Sequence, residues 1–147
     1  MSLVVNNIEN LRTWFRTCPS IVSKNRFGIN HIAEKAVEYA IYSVPSTLQY
    51  HENVLGERVL NDIQTENYIF ASKENYGADI EQNIKVLGWY QEVVAWIIQQ
   101  NNAKNYPAIE NGVVRSILPT LSAYPAEVGS SIAKYQIQLA VNYRMNQ

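Results

Sequence analysis

Chemistry in this chain of 147 residues would rest on few groups: one cysteine, two histidines and 13 carboxylates. Cys18 stands alone, and neither His31 nor His51 belongs to an H-E-x-x-H pattern, so no metal set is spelled out. A nucleophile would also need a base and a group to orient it, and no spacing supplies them. Glu34 with Glu38, and Glu74 with Asp79, are close enough in sequence for shared acid–base work, but solvated ends of helices and strands carry the same spacing. The glycines never gather into a G-x-G-x-x-G or Walker loop, which removes the phosphate cradle of a nucleotide site. Gly129-Ser130-Ser131 sits in a turn between two strand patterns, not in the strand-to-helix elbow of a serine esterase. Arg12, Arg16, Lys24 and Arg26 make a mildly basic stretch without interleaved aromatics. It reads as a solvated helix face whose basic end complements the helix dipole. The expectation is a protein that is not an enzyme and uses no cofactor or metal.

Composition narrows the partners. The net charge of −1 gives no general attraction to nucleic acid or anionic lipid, so neither sequence-specific nucleic acid nor membrane is expected. No run approaches the ~18 apolar residues of a membrane span, and Met1 to Glu9 lacks the pattern of a signal peptide. A lone cysteine suits a reducing cytoplasm. Ten tyrosines and three tryptophans are a heavy aromatic load, and both types favour places with one apolar and one wet end, at core margins or interfaces.

The elements that would position these groups follow from periodicity. Val4, Ile8, Leu11 and Phe15, broadened by Val5 and Trp14, make a first helix capped by Ser2 and stopped at Cys18-Pro19. Ser20 to Ile29 is connection, and Ala36 to Val44 is a strand ended by Pro45. Ser46 to Gln64 reads as a long connection with a helical turn near Arg58 to Ile63. Asn67 to Ser72 is a second strand. Asp79 and Gln82 have capping-box spacing at the start of a long helix that runs to about Asn101. Its expected buried stripe is Ile80, Ile84, Leu87, Val94 and Ile97, with Tyr90 and Ile98; Gly88 would let another backbone approach. Trp89 and Trp96 lie off that stripe, either broadening the core or forming a second apolar face for a partner.

Val114 to Tyr124 is a third strand, bent or edge-placed at Pro119, and Pro125 to Ser130 turns the chain back. The last strand alternates cleanly. Ala133, Tyr135, Ile137, Leu139, Val141 and Tyr143 face one way; Lys134, Gln136, Gln138, Ala140 and Asn142 face the other. At ~3.3 Å per residue it spans roughly 36 Å, with a polar, nearly uncharged outer face that must be paired, covered or used. The whole reads as a single α+β domain over residues 1–147, with a small antiparallel or mixed sheet of about four strands and two helices packed on it.

Two stretches are familiar as phrases: Tyr68 to Ile84, YIFASKENYGADIEQNI, followed by Gly88, Trp89, Tyr90 and Trp96, and Ala133 to Leu139, AKYQIQL. Together they resemble the tail terminator family of phages and prophages of Gram-positive bacteria, also described as tail-completion or minor capsid proteins. The resemblance runs over roughly residues 36–144 and is weakest through Ser46 to Gln64. It implies a compact α/β subunit of a ring, usually of six copies, which caps the tail tube and offers a joining surface to the neck or head. Its implied partners are other copies of the chain, the tube protein, the neck or head connector, and a sheath where the tail contracts. The implied location is a virion or tail-like particle assembled in the bacterial cytoplasm. Another connector or stopper of the same particle is the alternative. The family offers no catalytic residues to carry over. The candidate interface residues are Tyr50, His51 and Arg58 in the long connection, Trp89 and Trp96 on the helix, and Gln136 and Gln138 on the last strand.

Overall fold

The computed structural model describes residues 5–21, 25–32, 38–77, 79–129 and 131–146. Ser2, Val4, Lys24, Glu34, Ala36, Val37 and Ser130, and the side chain of Val5, lie outside the described residues. The terminal alternation becomes β7 (Ile132–Met145). Every member of its apolar set is buried, from Ala133, Ile137 and Leu139 at 0% exposure to Val141 at 4%. That set sits in the middle of the core because β7 is paired on both sides, by β5 (Ile63–Asn75) and by β6 (Gly112–Val128).

The main sheet has five strands in the order β1-β2-β5-β7-β6, with β1 (Phe27–Ile29) parallel to β2 (Glu38–Val44) and the other pairs antiparallel. Both helices, α1 (Val5–Phe15) and α2 (Ile80–Asn102), contribute to a core that includes Phe70, Ile137 and Leu139 of the sheet. The α+β class therefore stands, with a mixed sheet larger than the four strands expected. Three strands are also longer than their sequence pattern: β5 extends at both ends, β6 runs through Pro119 and Pro125 to Val128, and β7 reaches Met145. An antiparallel partner supplies the ladder bonds that weak local propensity does not, so pairing carries strands past their apolar runs. The turn before β7 is consequently shorter than Pro125 to Ser130. Pro119 does fall on the edge strand of the sheet, beside register shifts that bend it.

The largest difference lies between Ser46 and Gln64. No helical turn forms there. Tyr50–Glu52 (β3) and Arg58–Leu60 (β4) pair antiparallel as a separate two-stranded ribbon. Asn53 sits where a reversal must begin and Gly56 where the backbone needs φ of +80°, which only glycine adopts without strain. The hairpin signal is real but short, and it was hidden by the absence of an apolar face.

The long helix begins where expected, with the Asp79 carboxylate accepting the backbone N–H groups of Glu81 and Gln82. Its buried residues are Val86, Tyr90, Val93 and Ile97, so Ile97 and its supporting Tyr90 are buried as expected while Ile80, Ile84 and Leu87 of the expected stripe are exposed. Ile80 is 72% and Ile84 62% exposed. Among the described residues nothing lies within 4 Å of where a Cβ on Gly88 would sit, so none of their backbones uses the space it leaves.

Candidate interaction surfaces

The residues that could do chemistry are dispersed or engaged. Cys18 is buried, with burial pushing its thiol up, and His31 and His51 are exposed. Among the described residues no cluster of three or more His, Cys, Asp or Glu could hold a metal ion. Asp79 is the helix cap while Glu74 is buried in β5, so that pair shares no site. Arg12 spends its guanidinium on the Phe27 carbonyl and on Glu9, both at 2.8 Å, and Arg16 lies 5.9 Å from the centre of the Phe27 ring. The basic stretch is therefore partly structural. No helix among the described residues is long and apolar enough to cross a membrane.

Two carboxyls are buried: Glu66, which the sequence reading did not single out, and Glu74, for which it allowed a solvated strand end. Glu66 accepts hydrogen bonds from the hydroxyls of Tyr68 and Tyr143, the latter at 2.9 Å. Burial raises its pKa, opposed by those hydroxyls and by Asn7. It borders a cavity of about 530 Å³ at the root of the hairpin, with Gln64, Pro45 and Leu48. Glu74 is pushed up to about 7 by burial, against a hydrogen bond from the Ser72 side chain, and its Oε2 has no hydrogen-bond partner among the described residues. The signal for both was available: Gln64, Glu66, Tyr68, Phe70, Ser72 and Glu74 share one face of β5, so polar groups recur on the strand face that enters the core. Glu66 is held by two tyrosine hydroxyls and Glu74 by the Ser72 hydroxyl, and each reads as an internal polar contact of the fold.

The seven candidate interface residues fall in three places. Tyr50, His51 and Arg58 come together on the hairpin, exposed, opposite Leu60, Val59 and Glu52. The His51 ring nitrogen Nδ1 lies 2.7 Å from Asn61 Oδ1. Trp89 and Trp96 lie on the core side of α2. Trp89 stacks on Tyr39 at 5.7 Å and donates its indole N–H to the Ser20 carbonyl, while Trp96 meets Trp14 at 4.6 Å. Their packing realises the core-broadening alternative. Gln136 and Gln138 lie on the sheet face away from the helices, but Gln136 is 93% buried by Tyr124, whose hydroxyl accepts its amide at 2.6 Å. Gln138 is half-buried in a row with Ile69 and Leu121. The outer face of β7 is thus largely covered by its own strand neighbours.

Two surfaces are left unsatisfied. The first is the hairpin tip. Asn53 Oδ1 accepts the N–H groups of Leu55 and Glu57, at 2.9 and 3.0 Å, and the turn closes with Gly56 N–H on the Asn53 carbonyl. At the root, the fully buried Gln64 side chain bonds the backbone of Gln49 in both directions and the Asn61 carbonyl. Held at both ends, the hairpin presents Val54 at 102% and Leu55 at 79% exposure. The second is a groove of about 740 Å³ between α2 and β6, bordered by Leu87, Val94 and Ile98 on the helix and by residues 118–123 of the strand, of which Leu118 and Leu121 pair with Ala140 and Gln138 on the face away from the helices. Leu87, Ile98, Leu118 and Leu121 are each at least 40% exposed. A scan against protein-family models finds no match to this chain, and a search of curated proteins finds no relative.

Proposed function

We propose that this protein is a structural subunit of a phage tail or tail-like particle, which caps the tail tube as a ring, ends tube growth and offers a surface to the neck or head. The observation that carries the reading is the resemblance of two segments to tail terminators. Those segments are neighbours in the fold: Tyr68 pairs with Leu139 and Ser72 with Tyr135 in the centre of the sheet, and the first segment continues through the turn into α2. The likeness therefore concerns one connected framework rather than scattered phrases.

The surfaces support the reading in a second way. An apolar hairpin tip and an apolar groove have little use on a monomer and considerable use on a subunit that contacts unlike surfaces. A cap must match the tube end on one side and differ from it on the other, or the tube would continue growing. The hairpin, at the stretch where the resemblance fades, is the element we assign to recognition. Deleting the gene from its phage or prophage and measuring tails by electron microscopy tests this. Overlong or headless tails, restored to normal by the gene supplied in trans, are expected. Tails of unchanged length on intact heads would overturn the reading, and tails of normal length lacking heads would favour a connector instead.

A further inference from the structure

We propose that the cavity at the root of the hairpin binds a primary ammonium group on an apolar stem, with Glu66 as its counter-charge. A lysine side chain and a free alkylamine share that chemistry. The site rests on the cavity and its walls and is independent of the capping reading.

Glu66 is 8% exposed, and it is the only charged residue lining the cavity of about 530 Å³. It has no cationic partner among the described residues. Buried charges are ordinarily paired, so a lone carboxyl at the wall of an open cavity favours a cation from outside. Its neighbours hold it ready for that role. The hydroxyls of Tyr68 and Tyr143 donate to its two oxygens, one each. Burial first, and the carboxylate second, hold both tyrosines above their ordinary range, so they keep their protons and remain donors. A carboxyl that accepts at both oxygens is arranged as the ionised form. Burial opposes that charge, and an ammonium beside it would offset the cost.

The bonds already made select the kind of cation. A carboxylate has about four lone-pair positions, and Tyr68, Tyr143 and Asn7 occupy three of them. The one that remains suits the single donor of an ammonium rather than the two parallel N–H groups of a guanidinium. A metal ion needs several ligands, and no cluster of three or more His, Cys, Asp or Glu exists among the described residues. The rest of the wall calls for a stem. Val44, Pro45 and Leu48 border the cavity together with Tyr68 and Tyr143, and its volume is that of a small-ligand site. This wall is fixed before any ligand arrives. Ser46 Oγ accepts the Asn67 N–H at 2.8 Å, and the Gln64 side chain bonds the Gln49 backbone in both directions. Little ordering entropy is therefore lost on binding.

The test titrates the full chain and follows the NMR shifts of the Ser46, Leu48 and Gln64 backbone amides. Lysine blocked as its Nα-acetyl amide should bind roughly tenfold more tightly than the matching norleucine, which keeps the stem and lacks the ammonium. It should exceed blocked arginine by a similar factor. Norleucine or arginine binding as tightly as lysine would overturn the proposal, and so would shifts confined to residues outside the cavity. Glu66→Gln keeps the size of the side chain and removes its charge, and should lower the affinity for blocked lysine roughly tenfold. Glu52→Gln, at an exposed carboxyl of the hairpin, should leave it unchanged. Equal affinity of Glu66→Gln and the parent chain would sink the assignment. The lysine and norleucine comparison uses the parent chain, so it decides even where Glu66→Gln fails to fold. Pentylamine separates the two sources. Binding tighter than that of blocked lysine supports the site as one for free amines. Weaker binding, with a further gain for a lysine-centred peptide, supports it as a site for a lysine of another protein.

Discussion

The two sides of α2 are both apolar, and only one of them is used by the fold. One side carries Val86, Trp89, Tyr90, Val93, Trp96 and Ile97; the other carries Ile80, Ile84, Leu87 and Ile98. By hydropathy alone the aliphatic side is the better candidate for burial, and the expected stripe lay mainly on it, taking only Tyr90 and Ile97 from the other. The fold chose the aromatics. Each buries roughly 150–250 Å², and their polar atoms find partners only inside. Tyr90 donates to the Tyr135 carbonyl at 3.0 Å and meets the Ser72 hydroxyl at 2.5 Å, and its ring lies edge-on to Phe70. Phe15 stacks on Phe70 at 4.9 Å to complete the cluster. The lesson is that shape and polar satisfaction decide between two apolar faces, and that the rejected face is where an outside contact belongs.

The largest test of that contrast compares truncations on the two sides. Tyr90→Ala removes a fully buried ring together with the hydroxyl that holds Ser72 and the Tyr135 carbonyl, and about 3–5 kcal/mol of stability should go with it. Ile84→Ala removes a side chain that is 62% exposed, and alanine is the better helix former. Its effect should lie within about 0.5 kcal/mol of zero. Urea melts of the two variants check this. Comparable losses would mean that the aliphatic side is packed after all.

A smaller effect should appear as a pH dependence on the packed side. The Glu74 carboxyl is buried beside Ser72, and burial raises its pKa from 4.5 to about 7. Its folded form therefore holds a proton more tightly than its unfolded form. The stability it contributes is complete below about pH 4.5 and is lost as pH rises through 7, on the order of 3 kcal/mol across that window. Glu66, raised by burial as well, acts in the same direction. Glu74→Gln stays neutral at every pH. It should melt above the parent protein at pH 8 and close to it at pH 5. A parent protein no less stable relative to this variant at pH 8 than at pH 5 would contradict the assignment.

Much of the framework was legible in the sequence. The alternation of β7 named its buried residues correctly, Asp79 marked the start of α2, and Pro119 indicated an edge, because each of these signals is local and acts through backbone geometry. What was not legible depends on partners far away in sequence. The extra length of β5 comes from the β7 ladder, the covering of Gln136 from Tyr124, and the orientation of α2 from Phe70 and Trp14. Of the candidate interface residues, Tyr50, His51 and Arg58 are exposed together because the hairpin has no core beneath it. The residues beside them that stand furthest out, Val54 and Leu55, were missed because two apolar residues within a polar stretch set no period.

The smallest effect concerns this hairpin, whose order is local as that of α2 is not. Its strands pair only with one another, and its ties to the main fold run through the Gln64 amide at the root. Asn53→Ala deletes the oxygen that accepts the Leu55 and Glu57 N–H groups, a loss of about 1 kcal/mol felt within the turn. The core shares none of those bonds, so the melt of the whole protein should move little. Backbone amides from Tyr50 to Leu60 should exchange with solvent several-fold faster, while those of β5 and β7 stay protected, since local opening and global unfolding are separate events here. Hydrogen exchange read by mass spectrometry distinguishes the outcomes. Faster exchange spreading into β5 would show that the tip is coupled to the core, and the contrast between an ordered projection and an independently packed framework would fail.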